Sequence, residues 1–181
     1  QTLSASASSV TFNNLPQDYT DIYIVVQGYM ATGTGAFMAL RFNSDTGTNY
    51  SATYIWGDGT SPTSSRFSNQ TSGAIGAFYS GQANILASVQ NYSNSTTYKT
   101  TISRSNSAGN NTGAFVSLWR NTAAITSITI LGQSDTIASG TTFSLYGIQA
   151  GTPKAQGGQI VTTDGTYWYH AFTASGTFTP S

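Results

Sequence analysis

Along most of this chain hydrophobic and polar positions alternate with a period of two. In "DIYIVVQGYM", Ile22, Ile24 and Val26 fall on one face and Tyr23, Val25 and Gln27 on the other. In "AFMALRF", Met38, Leu40 and Phe42 oppose Phe37, Ala39 and Arg41. Successive side chains of an extended strand point to opposite faces, so this period predicts strands. The same character recurs in "NYSATYIW", "ANILASVQNY", "TTYKTTIS", "GAFVSLWR", "AITSITIL" and "TTFSLYGIQ", besides a short "SVTF" near the start.

Clusters such as "NSDTGTN", "GDGTSPTSS" and "NSAGNNTG" separate these runs and carry the chemistry of turns and loops. Helix signals are nearly missing: Glu is absent, Lys is scarce, and Gly or β-branched residues interrupt windows of helical length. Many short strands punctuated in this way predict an all-β fold, a jelly-roll-like antiparallel β-sandwich over residues 1–149. Composition then shifts. Residues 150–159, "AGTPKAQGGQ", are small, polar and Gly-rich and read as a linker. Residues 160–181 are predicted to form a C-terminal hairpin, with Asp164-Gly165 as a two-residue turn. A lone hairpin is marginal in water, so this segment is expected to pack on something else.

Only 7% of the 181 residues are charged, and six acids balance six bases. That balance leaves no strong electrostatic footprint, so nucleic acid and anionic membrane surfaces are not expected partners. Membrane insertion is not expected either, because no apolar run approaches the roughly 20 residues of a spanning helix. Polarity comes instead from Ser, Thr, Asn and Gln. A surface so close to neutral has little colloidal repulsion, which predicts a permanently assembled protein.

Candidate chemistry is sparse. One histidine, His170, and no cysteine leave too few ligands for the usual zinc sites. All six acids are aspartates in or beside turn-like segments, where they cap backbone amides, so a paired-carboxylate hydrolase is not expected. No nucleophile elbow accompanies His170. The reading is therefore no enzyme, no catalytic residue, no cofactor and no metal. Asp45 and Asp58 lie among oxygen-rich residues that calcium accepts, with turn capping as the expected role. Tyr and Trp beside amides and hydroxyls make neutral platforms for sugars, which singles out Trp56, with Tyr54, as candidate glycan contacts. Trp119 lies inside an alternating run and is expected in the core. In "TYWYHAF", Tyr167, Trp168, Tyr169, His170 and Phe172 are candidate assembly contacts.

"SVTFNNLPQDYTDIYIVVQG", "LRFNSDTGTNYSATYIWGDGTS", "NYSNSTTYKTTISR", "LWRNTAAITSITI" and "SGTTFSLYGI" together resemble a β-sandwich module of tailed-bacteriophage virion proteins, over most of residues 1–150. "TDGTYWYHAFTASGTFTP" is similar to the start of glycine-rich modules of phage tail proteins. The chain stops at Ser181, without the many glycines that follow in such modules. The resemblance implies a non-enzymatic structural protein on the virion exterior, in a tail fibre or as capsid decoration. It implies a homotrimer, other virion proteins as partners, and host-surface glycans as contacts in host recognition. It supplies no catalytic residues. The alternative is a carbohydrate-binding module of a cellular or secreted protein.

Overall fold

The structure is a computed structural model and describes residues 1–32, 35–78, 81–108, 111–149 and 155–180. The predicted strands form as β2 (Asp21–Gly28), β3 (Ala36–Phe42), β4 (Tyr50–Gly57), β7 (Ala83–Val89), β8 (Lys99–Ser107), β9 (Asn111–Trp119), β10 (Ile128–Gly132) and β11 (Thr142–Ile148), after the short β1 (Ser9–Phe12). Two strands were not predicted: β5 (Pro62–Gln70) and β6 (Gly73–Phe78). They pair antiparallel into a four-stranded sheet, β1-β10-β3-β6, and a seven-stranded sheet, β11-β2-β7-β8-β9-β4-β5. The two sheets pack together as the expected all-β sandwich.

The alternation in β2 and β3 places Ile22, Ile24, Val26, Met38, Leu40 and Phe42 inside. With Ile85, Ile128, Ile130, Phe143 and the fully buried Trp119 they form the main core. Each such side chain is worth roughly 1.5–3 kcal/mol when fully buried. A smaller cluster of Ala52, Tyr54, Ala74 and Phe115 fills the space under the β4–β5 end.

Strands β5 and β6 escape the binary pattern for opposite reasons. β5 is the last strand of its sheet, and its residues are exposed apart from the half-buried Phe67 and Gln70, so it needs no apolar alternation. β6, "GAIGAF", is buried along its whole length and uses small residues because the other sheet comes very close. A Cβ on Gly76 would lie 2.7 Å from Ile85 Cδ1 and 2.8 Å from Ser105 Cβ. Here the opposing strands turn their polar faces inward. On β8 the buried residues are Lys99, Thr101, Ser103, Ser105 and Ser107, while Ile102 points out. Ser103 Oγ donates to Ile75 O at 2.7 Å and Ser117 Oγ to Ala74 O at 2.6 Å, so serines of one sheet satisfy carbonyls at the edge of the other. Lys99 Nζ, equally buried, donates to Thr97 O and Thr122 O at 2.7 and 3.0 Å. Burial holds its pKa below the ordinary lysine value.

Residues 150–154 of the predicted linker, and Ser181, lie outside the described residues. The rest of that linker is not plain connector: β12 (Ala155–Gln156) pairs with β15 (Thr179–Pro180). The predicted hairpin forms from β13 (Ile160–Thr163) and β14 (Trp168–Ala171). Its turn differs from the two-residue expectation. Thr163 pairs with Trp168, leaving Asp164 to Tyr167 in the loop. Asp164 Oδ1 accepts the amides of Thr166 and Tyr167, both at 2.8 Å, and this side-chain cap stabilises the wider turn.

Candidate functional site

The inward face of β4 carries Ala52, Tyr54 and Trp56, and the outward face carries Thr53 and Ile55. Tyr54 is therefore only 9% exposed. Its ring stacks on Phe115 at 5.2 Å and 24° and lies 5.6 Å from Phe37 and 5.3 Å from Phe67. Trp56 is half-buried against the same cluster, and its indole Nε1 is buried without a partner among the described residues. Tyr54 thus serves as packing and its ring offers no platform to a sugar, while Trp56 packs on the cluster and also lines the depression beside it. Alternation on β4 marked the two faces, but the single strand did not say which faced the other sheet.

Beside them, a shallow depression of about 580 Å³ is lined by Ile55, Trp56, Thr60, Pro62, Arg104 and Ala114, among others. The β4–β5 turn forms its rim. Asp58 Oδ1 accepts Thr60 Oγ1 at 2.6 Å, Thr60 N at 2.8 Å and Ser61 N at 3.1 Å. The Thr60 hydroxyl leads these bonds in holding the Asp58 carboxyl down to about 2.

Asp45 caps the β3–β4 turn. Oδ1 accepts Gly47 N at 2.8 Å, and Oδ2 accepts Asn49 Nδ2 at 2.9 Å and Trp119 Nε1 at 2.7 Å. Asp21 and Asp135 likewise accept backbone amides, from Asn91 and from Thr32 and Thr136. Among the described residues no three His, Cys, Asp or Glu side chains come together where they could hold a metal ion.

The assembly candidates gather in residues 155–180. Tyr167 is 65% exposed, and Trp168, Tyr169, Phe172 and Phe178 are exposed as well. His170 is half-buried. Its Nδ1 lies 2.7 Å from Gly157 O, and its ring meets Phe178 edge-on at 5.4 Å. Phe178 also meets Phe172, 6.5 Å away. Tyr169 OH donates to Asp164 Oδ2 at 2.7 Å, which with the two turn amides holds the carboxyl below the usual range. His170 is thus tied to a backbone carbonyl and an aromatic edge, a packing role for the ring.

A further surface was not singled out from the sequence. On the outward face of the seven-stranded sheet, strand register lines up Tyr146, Tyr23, Ser88, Ile102, Val116 and Thr53 across β11, β2, β7, β8, β9 and β4. The adjacent row carries Ser144, Val25, Leu86, Arg104, Ala114 and Ile55. Ile55, Ile102 and Val116 are 62%, 46% and 48% exposed. The runs "TTIS" and "FVSLW" show alternation, but no local signal reports that their aliphatic side faces away from the other sheet.

No protein-family model matches the chain, and no curated protein matches it significantly.

Proposed function

We propose that this chain is a non-enzymatic structural module on the exterior of a tailed-bacteriophage virion, in a fibre or as a capsid decoration, assembled with itself as a homotrimer and with other virion proteins. The observation that carries this reading is the C-terminal unit. Residues 155–180 present Tyr167, Trp168, Tyr169, Phe172 and Phe178 to solvent, more aromatic surface than two short ladders can cover from within. A rigid, nearly uncharged sandwich whose aspartates cap turns suits a structural part, and the ordered resemblance over residues 1–150 supplies the virion context. Antibodies against the recombinant chain, applied to purified particles of the phage that encodes it, are expected to decorate the particle at one repeated location. Peptides of the chain are expected in the mass spectrum of those particles. Their absence from purified virions overturns the reading.

A second reading is contact with host-surface glycans, by the virion module or by a carbohydrate-binding module of a cellular or secreted protein. The depression edged by Thr60 and Arg104 favours it, because hydroxyl and guanidinium donors there border apolar surface. A glycan array with no retained sugar removes it.

A further inference from the structure

We infer that the outward face of the seven-stranded sheet is a docking surface for the C-terminal hairpin of a second copy of this chain, with Asp164 of that hairpin meeting Arg104. This goes beyond the virion reading and holds whether or not the chain belongs to a particle.

The face is built the wrong way round for a solvated surface. On β8 the serines and Lys99 are buried and Ile102 is exposed; on β9 Ser117 is buried and Val116 is exposed. Contact with β6 explains the inward serines. It does not explain an aliphatic outside with Val25, Leu86, Ile102, Val116 and Ile55 in two adjacent rows. Contiguous apolar surface of this kind marks an interaction site. The branched aliphatics at the centre of the face give a flat, oily contact suited to protein side chains, with the exposed Tyr23 and Tyr146 at its β2–β11 end.

Charge identifies the occupant. Arg104 sits within the second row, and no hydrogen bond or ion pair engages it among the described residues. It borders three neighbouring depressions of the face. Asp164 is the only charged residue between 155 and 180, and it lies at the exposed hairpin tip beside Tyr167. Arg66 on β5, level with Thr53, is a second cation of this face that no hydrogen bond or ion pair engages among the described residues. Two cations on an apolar face thus meet a tip whose one charge is the Asp164 carboxylate, which keeps that charge while accepting the Thr166 and Tyr167 amides and the Tyr169 hydroxyl. The strand pairings and ring contacts of residues 155–180 are with one another, and Tyr167, 65% exposed, stands out from them at the tip.

The test uses the full chain, which has no cysteine to confuse a cross-link. Sedimentation and light scattering are expected to give a mass above the monomer. Ile102→Asp on the face and Tyr167→Ser on the tip are each expected to return the monomer, with circular dichroism and thermal midpoint unchanged. Arg104→Glu is expected to weaken association about tenfold. Arg104→Cys and Tyr167→Cys, carried on separate chains and mixed under mild oxidation, are expected to join as a disulfide-linked pair. A monomeric wild-type chain overturns the inference. So does an assembly indifferent to both Ile102→Asp and Tyr167→Ser. A cross-link that forms only when both cysteines are on one chain shows docking on its own face and overturns the second copy. Face variants that lose a glycan while keeping the wild-type mass overturn it in favour of sugar binding.

Discussion

Trp119 Nε1 donates a hydrogen bond of 2.7 Å to Asp45 Oδ2 across 74 residues of sequence. The bond ties the β3–β4 turn to the end of β9, where the indole lies in the core stacked on Tyr50 at 6.3 Å and tilted against Phe42 at 5.4 Å. Tyr50 OH in turn accepts Phe42 N at 2.9 Å. Asp45→Ala leaves a buried indole N–H, an amide and an asparagine without their acceptor. It is expected to cost about 1–3 kcal/mol, read as a lower urea midpoint by tryptophan fluorescence.

The same bond carries a pH dependence. Burial pushes the Asp45 carboxyl up, but hydrogen bonds from Trp119, Asn49 and Gly47 outweigh it and leave the carboxyl below its ordinary value of 3.8. The folded state thus binds this proton less readily than the unfolded chain. Its contribution is present above 3.8 and is lost as pH falls through the depressed folded value. Urea midpoints are expected to drop on acidification through that window, and to drop less in Asp45→Asn.

The sheet-to-sheet contact at β6 leaves no spare volume. Gly76→Val drives a side chain into Ile85 and Ser105 and is expected to cost about 1–3 kcal/mol or more, seen as a lower thermal midpoint. Ser103→Ala removes a hydroxyl from Ile75 O and is expected to cost about 1 kcal/mol.

Not every buried hydroxyl on β8 stabilises the fold. Thr101 Oγ1 is buried without a partner among the described residues, so Thr101→Val keeps the shape and removes an unsatisfied group. It is expected to leave thermal stability unchanged or raise it by up to about 1 kcal/mol. Ile130→Ala, in the apolar part of the same interior, is expected to cost about 2–5 kcal/mol.

At the hairpin, Asp164→Ala frees two turn amides and the Tyr169 hydroxyl. Hydrogen exchange at Thr166 and Tyr167 is expected to quicken several-fold. Amides of the sandwich strands are expected to keep their rates, because these bonds are internal to the hairpin.

The fold class was legible because β2 and β3 need only their own alternation to sort Ile24 and Leu40 from Tyr23 and Arg41. β5 and β6 were not legible, since an edge strand needs no apolar face and a strand buried along its whole length has no period. Trp56 and Tyr54 were picked out as aromatics near a loop; the direction of their strand turned Tyr54 inward and left Trp56 half-buried at the edge of a depression. Alternation determines that two faces exist. Which face is inside depends on what approaches from the other sheet, and at β6 the side chains of Ile85 and Ser105 come so close to Gly76 that a Cβ there has no room. The sequence by itself thus determined an antiparallel, turn-punctuated β chain with an aromatic C-terminal hairpin. Only tertiary contact decided that the serines of β8 go in, that Ile102 and Val116 go out, and that Arg104 stands unpaired among them.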